Sequence, residues 1–266
     1  MTTRGLLLSA WDWQPSVVAG CLALVFGYLI LSKREPALRK VWFLTGAGLL
    51  FLVLNSPLDT LADGYLFSAH VLQHFLLALV IPPLFLLGLP RRLVESALRH
   101  AAVARLERLL SLPALAWSLG IGTMLVWHLP ALFNAALASE RLHIFQHLTF
   151  LVTGTIFWWP VVGPLEERRL QALGAIAYLF TACAGCSLLG AALTFAPAGI
   201  YPAYLHPEDR YGLLPLIRTG WGLDLKSDQQ LGGLLMWVPG CFIYLTAILA
   251  NFARWYNKPE PVAVTR

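Results

Sequence analysis

The chain has 266 residues, 58% of them hydrophobic and only 12% charged, with a formal net charge of +5. Soluble globular domains carry about a quarter charged residues, so a water-solvated globule is excluded and lipid is the expected solvent. The positive balance calls for no nucleic acid, because the cytoplasmic loops of membrane proteins collect Lys and Arg.

In chain order, Trp11-Asp12-Trp13-Gln14-Pro15 precedes the first apolar run. No basic n-region stands there, so no cleavable signal peptide is expected. A span needs about 20 apolar residues to cross roughly 30 Å of hydrocarbon. Seven segments meet this need, at 15–32, 41–57, 65–89, 113–133, 141–162, 172–196 and 229–253. The second is the shortest, and Pro57 ends it. The stretch Arg91–Leu110 mixes charged and apolar residues at helical spacing, the pattern of a helix lying on a membrane surface. In the sixth segment Ala182, Cys186 and Gly190 recur every fourth position, which lets neighbouring helices approach closely. The longest connection, 197–228, carries Tyr201, Tyr204, His206, Tyr211 and Trp221 and is expected to act as a lid. The expected fold is an all-α integral membrane protein, a single polytopic domain over 1–266 with a bundle of seven transmembrane helices.

Lys and Arg fix the expected orientation. Of the 19, fourteen fall on one side, in the loops 33–40, 90–112 and 163–171 and in the tail, where Arg254, Lys258 and Arg266 lie. Five fall on the other: Arg4, Arg141, Arg210, Arg218 and Lys226. The rich side is read as cytoplasmic, which puts the N-terminus outside and the C-terminus in the cytoplasm. The expected location is a bacterial cytoplasmic (inner) membrane, crossed several times. Trp42, Trp117, Trp158, Trp159 and Trp255 sit at the inner ends of segments, the depth amphipathic rings favour.

Against this frame five histidines stand out. His70 and His74 lie early in the third segment, His128 late in the fourth, and His143 and His147 early in the fifth. Topology brings all five to similar depth near the outer face. His70/His74 and His143/His147 are i, i+4 pairs, which share a helix face. The two stretches match: His70-Val71-Leu72-Gln73-His74 and His143-Ile144-Phe145-Gln146-His147. An ionisable group in lipid is costly and points to function. Imidazole suits Cu, Zn, Fe and Ni, and a carboxylate-poor set disfavours Mg and Ca. Asp59, Asp63 and Asp228 fall at outer ends of segments, where they can orient imidazoles through the second ring nitrogen. Met236 is an additional soft ligand for Cu(I), although packing is the commoner use of Met. All four cysteines, Cys21, Cys183, Cys186 and Cys241, fall in apolar segments, which argues against a disulfide framework. Cys183 and Cys186 form a Cys-x-x-Cys that can offer soft ligands or simply pack. His100 and His206 are expected to face water.

Several motifs run in a specific order: Ser56-Pro57-Leu58-Asp59, His70–His74, Pro82-Pro83 with Gly88-Leu89-Pro90, Trp127-His128-Leu129-Pro130, His143–His147, Phe157-Trp158-Trp159-Pro160, and Asp228-Gln229-Gln230 running on to Met236-Trp237-Val238-Pro239-Gly240. In these the chain resembles the CtaG family of caa3-type cytochrome c oxidase assembly factors. The resemblance implies an integral membrane protein needed to mature a haem–copper cytochrome c oxidase by supplying copper, with no enzymatic activity of its own.

Three rival readings belong beside it. The first is an intramembrane zinc-dependent hydrolase, with Asp59, Ser68 or Asp228 beside the metal. The second is a b-type haem protein, which i, i+4 spacing disfavours because it places both ligands at nearly one depth. The third is a scaffold whose histidines only hydrogen-bond neighbouring helices.

Overall fold

The computed structural model describes residues 2–257 and contains no strand among them. Twelve helices carry the fold: α1 (Thr3–Ser9), α2 (Pro15–Leu31), α3 (Ala37–Asn55), α4 (Pro57–Gly64), α5 (Phe67–Gly88), α6 (Arg91–Ala97), α7 (Ala101–Leu110), α8 (Pro113–Trp127), α9 (Pro130–Leu137), α10 (Glu140–Val162), α11 (Ala172–Phe195) and α12 (Leu225–Tyr256). Pro15, Pro57, Pro113 and Pro130 each open a helix, the position where a missing N–H and a fixed φ cost nothing.

Four helices, α3, α5, α11 and α12, are long and apolar enough to cross a membrane, and a fifth span results if α7 and α8 are counted together across their 69° bend. The other expected segments differ from that measure for visible reasons. Helix α2 is apolar but has 17 residues. Helix α10 has 23 residues but opens on Glu140, Arg141, His143 and His147. The expected fourth segment, 113–133, is not one helix. Pro130 forces Leu129 into extended backbone (φ −64°, ψ 125°), as a proline does to the residue before it, so α8 stops at Trp127 and α9 starts afresh. The expected surface helix is likewise two helices, α6 and α7, and α7 leaves Val103, Leu106 and Leu109 exposed. Lys258 and Arg266, counted in the sequence reading, lie outside the described residues.

Contacts sort the connections to two ends. At one end Arg91 pairs with Glu167 at 2.7 Å, Arg168 pairs with Glu107, and Trp159 donates to Glu107 at 3.1 Å. At the other, Tyr204 donates to the Ala62 carbonyl at 2.8 Å and Tyr65 accepts from the Tyr211 amide at 3.1 Å. The segment expected as a lid is packed down rather than free. Leu213 and Ile217 are fully buried against Leu6, Ala62, Tyr65 and Leu66, and Tyr201 stacks on Phe67 at 4.7 Å. Large apolar side chains cover the outside of the bundle, among them Phe180, Leu188, Phe195 and Phe242, each more than 60% exposed. In water so much exposed apolar surface is an aggregation hazard; in lipid it is the solvated face.

Two close approaches set the helix positions. The stripe Ala182, Cys186 and Gly190 is buried against α12, and a Cβ on Gly190 would stand 2.8 Å from the Gly233 carbonyl oxygen. A Cβ on Gly154 of α10 would stand 2.5 Å from the Ala78 carbonyl oxygen of α5. That carbonyl lies in a π-turn, Leu76–Val80. Pro82 explains the turn: it has no N–H for the carbonyl four residues back, and its ring crowds that oxygen. A wider turn relieves the clash, as π-bulges within α-helices do.

Candidate metal centre

Helix α5 begins at Phe67 after Leu66, a residue with no capping oxygen. The cap comes from another helix instead. The Asp228 carboxylate of α12 accepts from the Phe67 amide at 2.8 Å, the Ser68 amide at 3.1 Å and the Ser68 hydroxyl at 2.5 Å. Asp228 was expected beside the histidines, yet its hydrogen bonds go to the helix start and hold it one turn before His70. An anion there is favoured by the exposed amides and the helix dipole.

From that start, His70 and His74 project towards His143 and His147 of α10. The His70 and His143 rings lie 5.4 Å apart, and those of His74 and His147 lie 5.3 Å apart. First meets first and second meets second, so the two faces run in the same direction, as the matched stretches require. His70, His74 and His143 each offer a ring nitrogen within 4.8 Å of the others. His147 adjoins them, its ring 4.2 Å from that of His143.

Both ring nitrogens of His70 and of His74 are buried without a hydrogen-bond partner, as are Nε2 of His143 and of His147. A buried unsatisfied polar group costs roughly 1–3 kcal/mol, against a total stability of about 5–15 kcal/mol for a typical domain. Four such imidazoles in one place are a heavy load for a scaffold that does nothing with them, and a shared cation would relieve it. Imidazole–metal bonds are about 2.0–2.1 Å long, so closing the trio on one ion takes only small ring movements. The donor set is all nitrogen, with Asp63 Oδ1 3.5 Å from His143 Nδ1. It fits Cu or Zn and does not fit Mg or Ca.

His128 departs from expectation. It caps the C-terminus of α8 rather than lying within a span, with φ −89° and ψ 0°, and it is not one of the trio. Its Nδ1 lies 2.7 Å from the Met124 carbonyl. A carbonyl only accepts, so the proton is on Nδ1 and the unpartnered Nε2 carries a free lone pair. The Tyr201 hydroxyl donates to the His128 carbonyl at 2.8 Å, fixing the residue from the 197–228 segment. Met236 is buried and lines the same cavity as His74 and His128. The two thiols of the Cys-x-x-Cys have different neighbours: Cys183 Sγ lies 3.4 Å from Cys241 Sγ, whereas Cys186 Sγ faces the Met236 carbonyl at 3.6 Å.

Asp59 is buried and accepts from Gln73 Nε2 at 2.6 Å, and Gln73 also donates to the Val53 carbonyl at 3.0 Å. Burial pushes the Asp59 carboxyl up to about 7. Asp59 therefore meets the glutamine next to His74 in sequence, not a histidine. Gln146, in the matching position of α10, is fully buried with both amide atoms unpartnered. The sequence reading noted these glutamines only as part of a pattern, although a glutamine between two histidines in an apolar helix is itself a buried-polar signal. Asp59 and Asp63, with His143, His147, Glu140 and Arg210, line a cavity of about 520 Å³. A second cavity of about 990 Å³ shares Asp59, Asp63 and Arg210 and reaches Asp12, His206 and Glu208. His143 and His147, but not the buried His70 and His74, therefore face a carboxyl-lined vestibule towards the end of the bundle that carries the 197–228 segment. His100 and His206 are both exposed.

An uncharacterized protein of Mycobacterium leprae is 25% identical to the chain over 279 residues, 96% of this chain and 41% of the relative. Uncharacterized proteins of Mycobacterium bovis and Mycobacterium tuberculosis are each 25% identical over 287 residues, 98% of this chain and 42% of theirs. The chain thus spans about two fifths of the length of the curated relatives it matches. No solved structure matches it. Residues 22–258, which carry all the histidines of the site with Asp59, Asp63 and Asp228, match the cytochrome c oxidase caa3 assembly factor family (Caa3_CtaG), and the chain belongs to that family.

Proposed function

We propose that this protein binds copper at the His70, His74 and His143 trio, with His147 adjoining, and hands it to a cytochrome c oxidase during assembly. The observation that carries the reading is the convergence of unpartnered imidazole nitrogens from two parallel helix faces. Copper is cargo in this scheme, and the protein catalyses no bond chemistry. The vestibule lined by Asp12, Asp59, Asp63, Glu140 and Glu208 offers carboxyl oxygens on the approach to His143. In the proposed topology the chain crosses a bacterial cytoplasmic membrane seven times, N-terminus outside, with the site and its vestibule near the outer face. The copper site of the oxidase is the receiver, and transfer runs by exchange of imidazole ligands between the two proteins.

Elemental analysis of detergent-purified protein grown with copper tests the reading. Wild type is expected to hold copper, and His70→Ala/His74→Ala and His143→Ala/His147→Ala are each expected to lose it and to leave the oxidase short of copper in cells. Metal-free wild type, with full oxidase assembly in both doubles, would overturn it.

One observation favours a second reading. Three histidines with a carboxylate 3.5 Å from one of them, beside a cavity open to water, also suit a zinc-dependent hydrolase. Zinc in place of copper, with lipid hydrolysis lost in the same doubles, would favour that enzyme.

A further inference from the structure

Beyond the trio, along α5 from His74 to Leu79 and along α10 from Phe150 to Phe157, lies a cavity of about 40 Å³ that shares only His74 with the trio. That is room for one ion or a water. Its wall includes His74, His128, Met124, Met236, Cys186 and Tyr244. Three polar groups on this wall are more than nine-tenths buried and have no partner: the ring nitrogens of His74, Nε2 of His128 and the hydroxyl of Tyr244. Three sulfur atoms belong to the same wall, and Cys186 Sγ is held against the Met236 backbone.

We propose that this cavity is a second, softer metal site, in which His128 Nε2, Met236 Sδ and Cys186 Sγ take a monovalent soft cation such as Cu(I). The trio is all nitrogen and serves either oxidation state of copper, whereas thioether and thiolate ligands select Cu(I), so Cys186 gives up its S–H proton to solvent as the ion binds. Tautomer supports the choice of His128, because the Met124 carbonyl holds the proton on Nδ1 and leaves Nε2 bare. His74 belongs to both the trio and the cavity wall. With two ring nitrogens it can face one site with each, so an ion passes from trio to cavity over one imidazole. Only this hand-over rests on the copper reading above; the deep site itself does not need the trio to be filled.

Silver(I) is a suitable probe, being soft, monovalent and without redox chemistry. The full chain in detergent is loaded with Ag(I) in a Cys183→Ser/Cys241→Ser background, which removes the neighbouring thiol pair. Silver per protein is counted and the ligand shell read by X-ray absorption. Wild type at the other positions is expected to show sulfur in the shell. Met236→Leu/Cys186→Ala is expected to lose one equivalent and the sulfur signal while keeping nitrogen-bound silver. Met236→Leu alone nearly conserves volume and is expected to weaken silver binding at least tenfold. His70→Ala/His143→Ala is expected to keep the sulfur-bound ion. No sulfur in the original shell, or a shell unchanged in Met236→Leu/Cys186→Ala, would overturn the proposal. Loss of all silver in His70→Ala/His143→Ala would overturn an independent deep site. Sulfur-bound silver in the deep cavity, together with metal-free wild type in the copper analysis above, would instead sink the copper reading and leave the deep site standing.

Discussion

The imidazoles of His70 and His143 face each other across the α5–α10 contact, 5.4 Å apart and 17° from parallel. In the proposed site these two rings from different helices, each with an unpartnered buried nitrogen, form one ligand pair. Removing either therefore removes most of what both do. His70→Ala and His143→Ala are each expected to lower copper affinity at least tenfold, and the double variant little further, since residues in one network are not additive. Titration of the purified variants checks this; fully additive losses would show that the rings serve separate ions.

Asp59 gives stability a pH dependence. Its carboxyl is pushed up to about 7 by burial from an ordinary value of 3.8, so the folded protein holds a proton that the unfolded chain has released. The contribution is fully present below the unfolded value and is lost as pH rises through about 7. Thermal unfolding in detergent is expected to show wild type less stable at pH 8 than at pH 5. Asp59→Asn keeps an acceptor for Gln73 and should flatten that slope. An unchanged slope would assign it to other groups.

The cross-chain cap by Asp228 makes the start of α5 depend on α12. Asp228→Ala leaves the Phe67 and Ser68 amides and the Ser68 hydroxyl without their acceptor, at a cost of roughly 1–3 kcal/mol for each group left buried and unpaired. A clear fall in Tm is expected, with weaker copper binding because His70 follows within one turn. Asp228→Asn keeps one acceptor and should fall between. Wild-type affinity in a destabilised Asp228→Ala would show that the cap supports folding without positioning the site.

Gly154 is expected to tolerate no side chain. Its Cβ would meet the Ala78 carbonyl at 2.5 Å, and backbone cannot swing aside as a side chain can. Gly154→Ala should destabilise by about 1–3 kcal/mol, the usual cost of overpacking, and separate the two histidine faces. Gly27, with open space around it, is the control. Tm and copper content of both variants check the contrast.

Much of the site was legible because membrane depth and helical period are simple functions of sequence position. Counting along apolar segments brought His70, His74, His143 and His147 together, and i, i+4 spacing set their faces. Pairing of the matched stretches followed from helix direction. His128 was placed at the right end but in the wrong setting: Pro130 signalled a break, and an apolar tally reads through a proline. The partner of Asp228 was not legible, because a cap supplied from 160 residues away leaves no local pattern. Nor was the cavity of Met236 and Cys186, since soft ligands and packing residues look alike until a void lies between them. The 197–228 segment looked like a loop by composition, but its tyrosines and leucines were already the material of a packed cap.

The π-turn at Leu76–Val80 has a consequence for how this helix tolerates change in length. Each α-helical residue advances the chain by about 100°, and the wide turn absorbs one residue more than a regular turn would. His70 and His74 on one side of it and Pro82 to Gly88 on the other therefore keep the phase of a regular helix one residue shorter. Deleting a single residue between 76 and 80 would let the helix close into regular α-form with both halves still on their faces. The same deletion outside the turn has nothing to absorb it and would rotate the histidines by about 100° relative to the half that packs on α3.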